Sequence, residues 1–238
     1  MGESLSVEWM GETSYADALA LQHQAVADRL AGRTQDRLLL LEHPKVITLG
    51  RSTDRANLRF TEARLRELGI ELFEVGRGGD ITFHAPGQLV GYPIIDLDAL
   101  GRRDVHAHLR RLETALVEAL DELGVPAQRL SGWTGVFVDR SRSASRGGPE
   151  RKIASIGVGV RRWVTFHGFA LNVTLDLMGF DPIVPCGLRD VEMTSVAVEQ
   201  AIEEGVTSFN RAWHSALDAR VREVVGRCMQ AQLARDRD

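Results

Sequence analysis

Four consecutive leucines, Leu38 to Leu41, are followed after a His43-Pro44 break by the apolar run Val46 to Leu49. Each run is too short and the pair too interrupted for a helix, so both read as buried strands. The helices are marked as clearly. Around 104–123, Leu109, Leu112, Leu116, Leu120 and Leu123 form one stripe, with Gly124 just past its end and Pro126 beyond, two signals that agree on the stop. An earlier helix begins near Thr13 or Ser14, either a good N-cap, carries Tyr15, Leu19, Val26 and Leu30, and ends near Gly32.

Residues 60–69 read as a short helix closed by Gly69, and 133–139 as a strand. The loop Arg140–Arg151 is rich in Ser, Gly and Arg and has little apolar surface with which to fold. Strands at 152–160 and 163–173 are expected to form a hairpin. The C-terminal region from Thr207 reads as a helix that places Phe209, Trp213, Leu217, Val221, Val224 and Cys228 on a core stripe. Hairpins and helices without regular βαβ alternation predict an α+β fold, with a mixed, largely antiparallel sheet flanked by helices. With 238 residues, 44% of them hydrophobic, one domain over 1–238 is expected.

Composition narrows the function classes. No run of about eighteen apolar residues occurs, and Met1–Glu12 has neither the basic flank nor the apolar run of a secretory signal, so a cytoplasmic location without a membrane partner is expected. Two cysteines, Cys186 and Cys228, are too few for a disulfide framework and read as free thiols. A net charge of −4 argues against nucleic acid as a partner. Only Lys45 and Lys152 are lysines among the basic residues, and a chain that otherwise uses arginine keeps lysine where an amine must titrate, or through plain compositional bias.

Three segments carry candidate chemistry. In Arg77-Gly78-Gly79-Asp80-Ile81-Thr82-Phe83-His84, followed by Pro86, Gly87, Gln88 and Tyr92, paired glycines allow close backbone approach while Arg, Thr, His and Gln supply donors, although a tight turn entering a strand is the plainer reading of the two glycines by themselves. In Lys152-Ile153-Ala154-Ser155-Ile156-Gly157, which leads to Gly159 and then to Phe166–Asn172 on the partner strand, strand alternation puts Ser155, Gly157 and Gly159 on one face, leaving room for a narrow acyl chain or for a close sheet–helix contact. The same alternation turns Lys152 to the opposite face, so it must lie at a strand end or an irregularity to reach that pocket. In Pro185-Cys186-Gly187, proline and glycine exclude a helix through the cysteine and present its thiol on a stiff loop. A nearby ammonium would lower that thiol's pKa, and Lys152 could supply it, although spacing does not show that the two meet.

Together these segments resemble the lipoyl/octanoyl transferase family, whose RGGxxTxHxPGQ signature matches Arg77 to Gln88, with its lysine block at Lys152–Gly157 and its Pro-Cys-Gly at Pro185–Gly187. The resemblance spans about 7–215, leaving about 216–238 as a helical extension, and implies the fold of biotin and lipoate protein ligase catalytic domains. It implies Cys186 as acyl-thioester nucleophile, Lys152 as the catalytic residue that lowers its pKa and moves protons, and substrate-binding residues Arg77 to His84, Ser155 to Gly157, and Gly168 to Ala170. It further implies octanoyl-acyl carrier protein as donor and apo-lipoyl domains of 2-oxoacid dehydrogenase complexes and the glycine cleavage H protein as acceptors. The enzyme is expected to be a monomer, with no cofactor and no metal.

Arg142, Arg146 and Arg151 are candidates for steering acidic partners, against the plainer reading of a solvated loop. An ATP-dependent ligase on the same scaffold, a metal or acyl-binding module using Cys186 with His84 or His167, and a cysteine hydrolase are the competing readings.

Overall fold

Serine at position 14 ends the first strand's chain and begins a helix: its hydroxyl accepts the Asp17 amide at 3.1 Å, capping α1 (Tyr15–Leu30). In this computed structural model, which describes residues 5–144, 147–187, 190–205 and 211–234, that helix follows the strand β1 (Ser6–Glu12). The leucine run forms β2 (Arg37–Glu42) and the next apolar run β3 (Val46–Leu49). The His43-Pro44 break does more than interrupt them, because the two strands enter different sheets.

After α2 (Glu62–Glu67) come β4 (Glu71–Glu74), β5 (Ile81–His84) and β6 (Gln88–Ile94). Asp104 caps α3 (Val105–Glu122) by accepting the Ala107 amide, and Gly124, at φ 78°, follows its end as the stop signals predict. Then follow β7 (Ala127–Gln128), β8 (Val136–Val138), β9 (Glu150–Arg161), β10 (Val164–Asn172), β11 (Val191–Met193), α4 (Val196–Glu204) and α5 (Arg211–Leu233). The expected start of the last helix, at 207–210, falls outside the described residues.

The main sheet runs β1-β2-β6-β10-β9-β8-β7, with β11 beside β9; a smaller sheet runs β4-β3-β5. Only β1/β2 and β11/β9 in the main sheet are parallel, so the mixed, largely antiparallel α+β class is what forms. One face of the main sheet packs on α3 and α5 through residues such as Leu112, Leu116, Leu120, Phe169, Leu171, Val221 and Val225. Cys228 lies in this core, as its helical stripe predicts, and burial pushes its thiol pKa up. The other face carries α1, with Ala18 against Leu39, Leu41 and Val90. Among the described residues, no helix is long and apolar enough to cross a membrane.

The centre of this sheet is irregular for a definable reason. Pro93 lies within β6 opposite Leu38 of β2, and a proline has no amide to give to the strand on its other side. Accordingly the β6/β10 ladder covers only Gln88–Gly91 with Phe169–Asn172. Just past it, Gly168 packs so closely that an added Cβ would stand 2.3 Å from the Gly91 carbonyl oxygen and 2.5 Å from Pro93 Cδ. The next residue, His167, takes a φ of 54°, a conformation rare for a side-chain-bearing residue.

Gly168→Ala is therefore expected to lower unfolding free energy by roughly 2–3 kcal/mol through overpacking. Gly147→Ala, where an added Cβ would meet nothing within 4 Å, is expected to change it by less than about 0.5 kcal/mol. Urea denaturation of the two variants beside the parent checks both, and equal stabilities would remove the Pro93–Gly168 contact as the cause of the kink.

Candidate functional site

On the α1 face, strand alternation brings Val90 and Tyr92 of β6, Ser155 and Gly157 of β9, and Gly168 and Ala170 of β10 together as the floor of a cavity. The cavity has a volume of about 50 Å³ and opens to solvent. Small floor residues leave that space, but not uniformly. At Gly159 the room is filled from within, since an added Cβ would stand 2.4 Å from the Phe166 ring, so this glycine serves packing and not the pocket.

The Arg77–Asp80 loop forms one wall and is held on both sides. Gly78 donates to the Val158 carbonyl at 2.8 Å, while the amides of Gly50, Arg51 and Ser52 donate to the carbonyls of Asp80, Arg77 and Gly79. Gly157 permits this approach, because a Cβ there would come within 2.6 Å of the Gly78 oxygen. Arg77 turns inward and donates to the Thr48 carbonyl at 2.7 Å and to its hydroxyl at 2.9 Å. Its guanidinium braces the loop to β3.

From Thr48 a chain of buried hydrogen bonds crosses to the main sheet. His84 Nδ1 lies 2.7 Å from Gln88 Oε1, so that nitrogen carries the proton, and Nε2 faces the Thr48 hydroxyl at 3.4 Å. Gln88 donates to Asn172 Oδ1 at 2.9 Å, Asn172 donates to the Thr194 carbonyl at 2.8 Å, and the Thr194 amide donates to the Lys152 carbonyl at 2.9 Å. A second pair closes the inner end: Tyr92 donates to His43 Nε2 at 2.7 Å, and His43 Nδ1 donates to the Thr13 carbonyl at 2.7 Å.

Burial pushes the imidazole pKa down to about 4 at His43 and about 3 at His84 and His167, while it raises the phenols, Tyr15 to about 12 and Tyr92 well above the ordinary value. The inner wall is thus uncharged at neutral pH. Such a wall suits an apolar guest.

Of the residues expected to bind substrate, Arg77, Gly79, Asp80, Thr82, His84, Ser155, Ile156, Gly157, Gly168, Phe169 and Ala170 line this cavity. Gly78 sits behind it against β9, and Ile81 and Phe83 point away into the core of the small sheet with Ile47, Leu65 and Phe180. Alternation along β5 gives the reason, since Ile81 and Phe83 share the face opposite Thr82 and His84. Tyr15, Val90 and His167 also line the cavity. Sequence reasoning placed Tyr15 only on a helix stripe and His167 only as a candidate metal ligand, and helical periodicity gives no sign that a stripe residue faces a cavity.

Lys152 is the third residue of β9 and 2% exposed, not at the end of the strand. The irregularity belongs to its neighbour: the β8/β9 register shifts between Val136 and Phe137, and Lys152 pairs with Phe137. Its ammonium donates to the Thr134 carbonyl at 3.2 Å and stands 5.5 Å from the centre of the Phe137 ring. Gly135, at φ 125°, lets the stem pass, for a Cβ there would lie 2.8 Å from Lys152 Cε. Glu113, fully buried on α3, accepts the Gly135 amide at 3.0 Å and fixes this turn.

The Cys186 side chain lies outside the described residues, but the backbone of its turn, Pro185–Gly187, is placed. Asn57 ties that turn to the cavity wall: its carbonyl accepts the Val184 amide at 2.8 Å and its side chain donates to Asp80 Oδ2 at 2.6 Å. An added Cβ on Gly187 would stand 3.2 Å from that same Asp80 oxygen. Among the loop arginines, Arg151 is not a steering residue, because it is buried and pairs through two bonds of 3.0 Å with Glu199; Arg142 pairs with Asp121 at 3.0 Å, and Arg146 lies outside the described residues.

Residues 14–228 match the model of the lipoyl protein ligase A/B catalytic domain family. The chain is 45% identical over 218 residues to an octanoyltransferase of Acidobacterium capsulatum, covering 89% of this chain and 87% of that one. It is 49% identical over 185 residues to the octanoyltransferase of Geobacter sulfurreducens, covering 78% and 71%. Its fold is similar to a lipoate-protein ligase A crystallised with ATP, with a TM-score of 0.66 at 17% identity over 100% of this chain and 88% of that one. It is also similar to the biotin protein ligase of Aquifex aeolicus in complex with biotin and ATP, with a TM-score of 0.51 at 12% identity over 97% and 73%. A catalytic-domain model matched from α1 to α5, together with near-half identity to octanoyltransferases over most of both chains, places this chain in the lipoyl protein ligase A/B catalytic domain family, among its octanoyltransferases.

Proposed function

We propose that this enzyme moves an octanoyl, or lipoyl, group from acyl carrier protein, through a thioester on Cys186, to a specific lysine of lipoyl domains. Its acceptors are those of 2-oxoacid dehydrogenase complexes and the glycine cleavage H protein, and it acts in the cytoplasm as a monomer. The observation that carries this reading is the small-residue cavity, uncharged at its inner wall, whose Asp80 wall is joined through Asn57 to the Pro185–Gly187 turn. A thiol on that turn has an apolar cavity beside it for the chain it would carry.

In the first step the Cys186 thiolate attacks the carbonyl carbon of the donor thioester. A new carbon–sulfur bond forms, the carrier's carbon–sulfur bond breaks, and the departing sulfur takes a proton from Lys152. In the second step the neutral lysine amine of the acceptor attacks the same carbon; the carbon–nitrogen bond forms, Cys186 leaves as thiolate, and Lys152 takes the amine's proton. Both partners return to their starting charge. The donor thioester is already activated, so no ATP is consumed. Burying six methylenes at about 0.8 kcal/mol each would contribute roughly 5 kcal/mol to holding the chain, before ordering costs.

Intact-protein mass spectra after mixing with octanoyl-acyl carrier protein should show one octanoyl adduct, absent in Cys186→Ser and present in Cys228→Ser, that moves to an apo-lipoyl domain without ATP. Transfer that appears only with free octanoate and ATP would replace the transferase reading with a ligase.

Gly135→Ala would press a methyl to 2.6 Å from the Ala154 carbonyl oxygen and to 2.8 Å from the Lys152 stem, so that β9 and the ammonium must shift together. Because displacement of a catalytic group by about 1 Å can cost roughly a hundredfold, turnover should fall by between about tenfold and a hundredfold with the circular dichroism spectrum retained. Full turnover in that variant would remove Lys152 from the proton transfers.

The buried imidazoles also bound the working pH. His43, His84, His108 and His167 have folded pKa values of about 3 to 4, below the 6.5 of a free imidazole. Below pH 6.5 the unfolded chain therefore binds protons that the folded one refuses, and stability falls as pH drops toward 4, by up to about 1.4 kcal/mol per pH unit for each histidine. Urea midpoints measured from pH 7.5 to 4.5 should decline steeply below 6.5, and a flat profile would show that these rings protonate within the fold.

A further inference from the structure

Two polar side chains of the cavity wall keep polar atoms that have no partner among the described residues: the hydroxyl of Tyr15 and both ring nitrogens of His167. Each side chain is 2% exposed. Tyr92 and His84 stand on the same wall and carry the same functional groups, yet both have hydrogen-bond partners. Buried polar groups in folded proteins are nearly always paired, so a phenol and an imidazole left over beside an open cavity point to whatever enters it.

Their position says which part of the guest they meet. The Pro185–Gly187 turn reaches the cavity at Asp80, whereas Tyr15 comes from α1, which covers β6 and β10. Ala170 pairs with Ser155, and His167 lies three residues before it on β10, about 10 Å along the strand at roughly 3.3 Å per residue. On the reading of Cys186 proposed above, a chain anchored there runs its far end to the α1 wall. His167, at φ 54°, lines the cavity with its ring 6.3 Å from that of Tyr92, and its amide is held by Gln22 Oε1 of α1 at 2.7 Å, which ties it to the helix that carries Tyr15.

We infer that Tyr15 and His167 are specificity-determining residues for the far end of the acyl chain. They penalise hydrocarbon that runs past eight carbons, and they favour a chain of that length ending in a hydrogen-bonding group. Extra methylenes would lie over the phenol and the imidazole and leave both desolvated and unpaired, whereas a terminal hydroxyl would pair with them.

The test is kcat/KM for carrier proteins loaded with octanoyl, decanoyl and 8-hydroxyoctanoyl groups, in the parent, Tyr15→Phe and His167→Asn, the last chosen because asparagine tolerates positive φ. Both variants should raise the decanoyl-to-octanoyl ratio by roughly fivefold or more and lower the 8-hydroxyoctanoyl-to-octanoyl ratio by a similar factor. Ratios equal to the parent's in both variants would overturn the inference. If instead the parent fails to turn over octanoyl carrier at all, it is the transferase reading beneath the inference that falls.

Discussion

The hydrogen-bonded chain from Arg77 through Thr48, His84, Gln88 and Asn172 to Thr194 joins the small sheet to the main one, and two of its members, Arg77 and His84, line the cavity. Each member has its direction set by the one before. Arg77 can only donate, so the Thr48 oxygen accepts and its proton turns to His84; a neutral His84 then donates to Gln88. Protonating His84 would reverse the Thr48 contact and leave a charge where the surroundings cannot solvate one, which is why burial holds the ring neutral. Low surrounding dielectric strengthens such a chain when it is complete and makes any gap expensive. Several residues of the Arg77–Gln88 stretch are therefore braces for the binding surface as much as parts of it.

Helices α1, α2, α3 and the body of α5 were legible in the sequence because their signals are local, whereas α4, despite Ser195 before it and Gly205 after it, went unread. The Leu109–Leu123 stripe with Gly124 beyond it, and Ser14 before Tyr15, specify start, face and stop without reference to the rest of the chain. Strand β6 was not, because Gly91 and Pro93 contradict what a central strand should contain. Their reason is tertiary: the Phe169 ring occupies the space beside Gly91, and Pro93 ends the ladder that would otherwise straighten β10 through His167. Strand β1 lies at an edge and leaves Trp9 and Met10 exposed, so its apolar residues do not alternate to mark a buried face.

At the site, the division is between residues named by a motif and residues brought in by packing. The glycine-rich signature and the small residues of β9 and β10 mark most of the cavity floor and wall, yet alternation sends Ile81 and Phe83 of the same signature into another core. Asn57 and Gly135 had no mark, since what they do depends on Asp80 and Lys152, each at least seventeen residues away in sequence. The loop arginines show the opposite error. A Ser, Gly and Arg composition reads as solvated, but Arg151 opens β9 and enters a buried pair with Glu199, which also accepts the Thr194 hydroxyl at 2.6 Å. That pair holds β11 and α4 to the strand that carries Lys152.

The arginine preference of the chain gives the buried lysine its meaning. Lys45 is exposed in the turn between β2 and β3, where either cation would serve, whereas Lys152 is enclosed by Gly135, the Thr134 carbonyl and the Phe137 ring. A guanidinium is planar, carries five donors and keeps its proton, so in this enclosure it would bring a charge that cannot be discharged. An amine is compact and can exist in either charge state. In the proposed mechanism it would give its proton to the departing sulfur and recover one from the incoming amine. Glu113 fixes the Gly135 turn, and Thr194 joins the Lys152 backbone to the same buried chain that shapes the cavity. The position of Lys152 thus rests on the network that also holds the cavity walls.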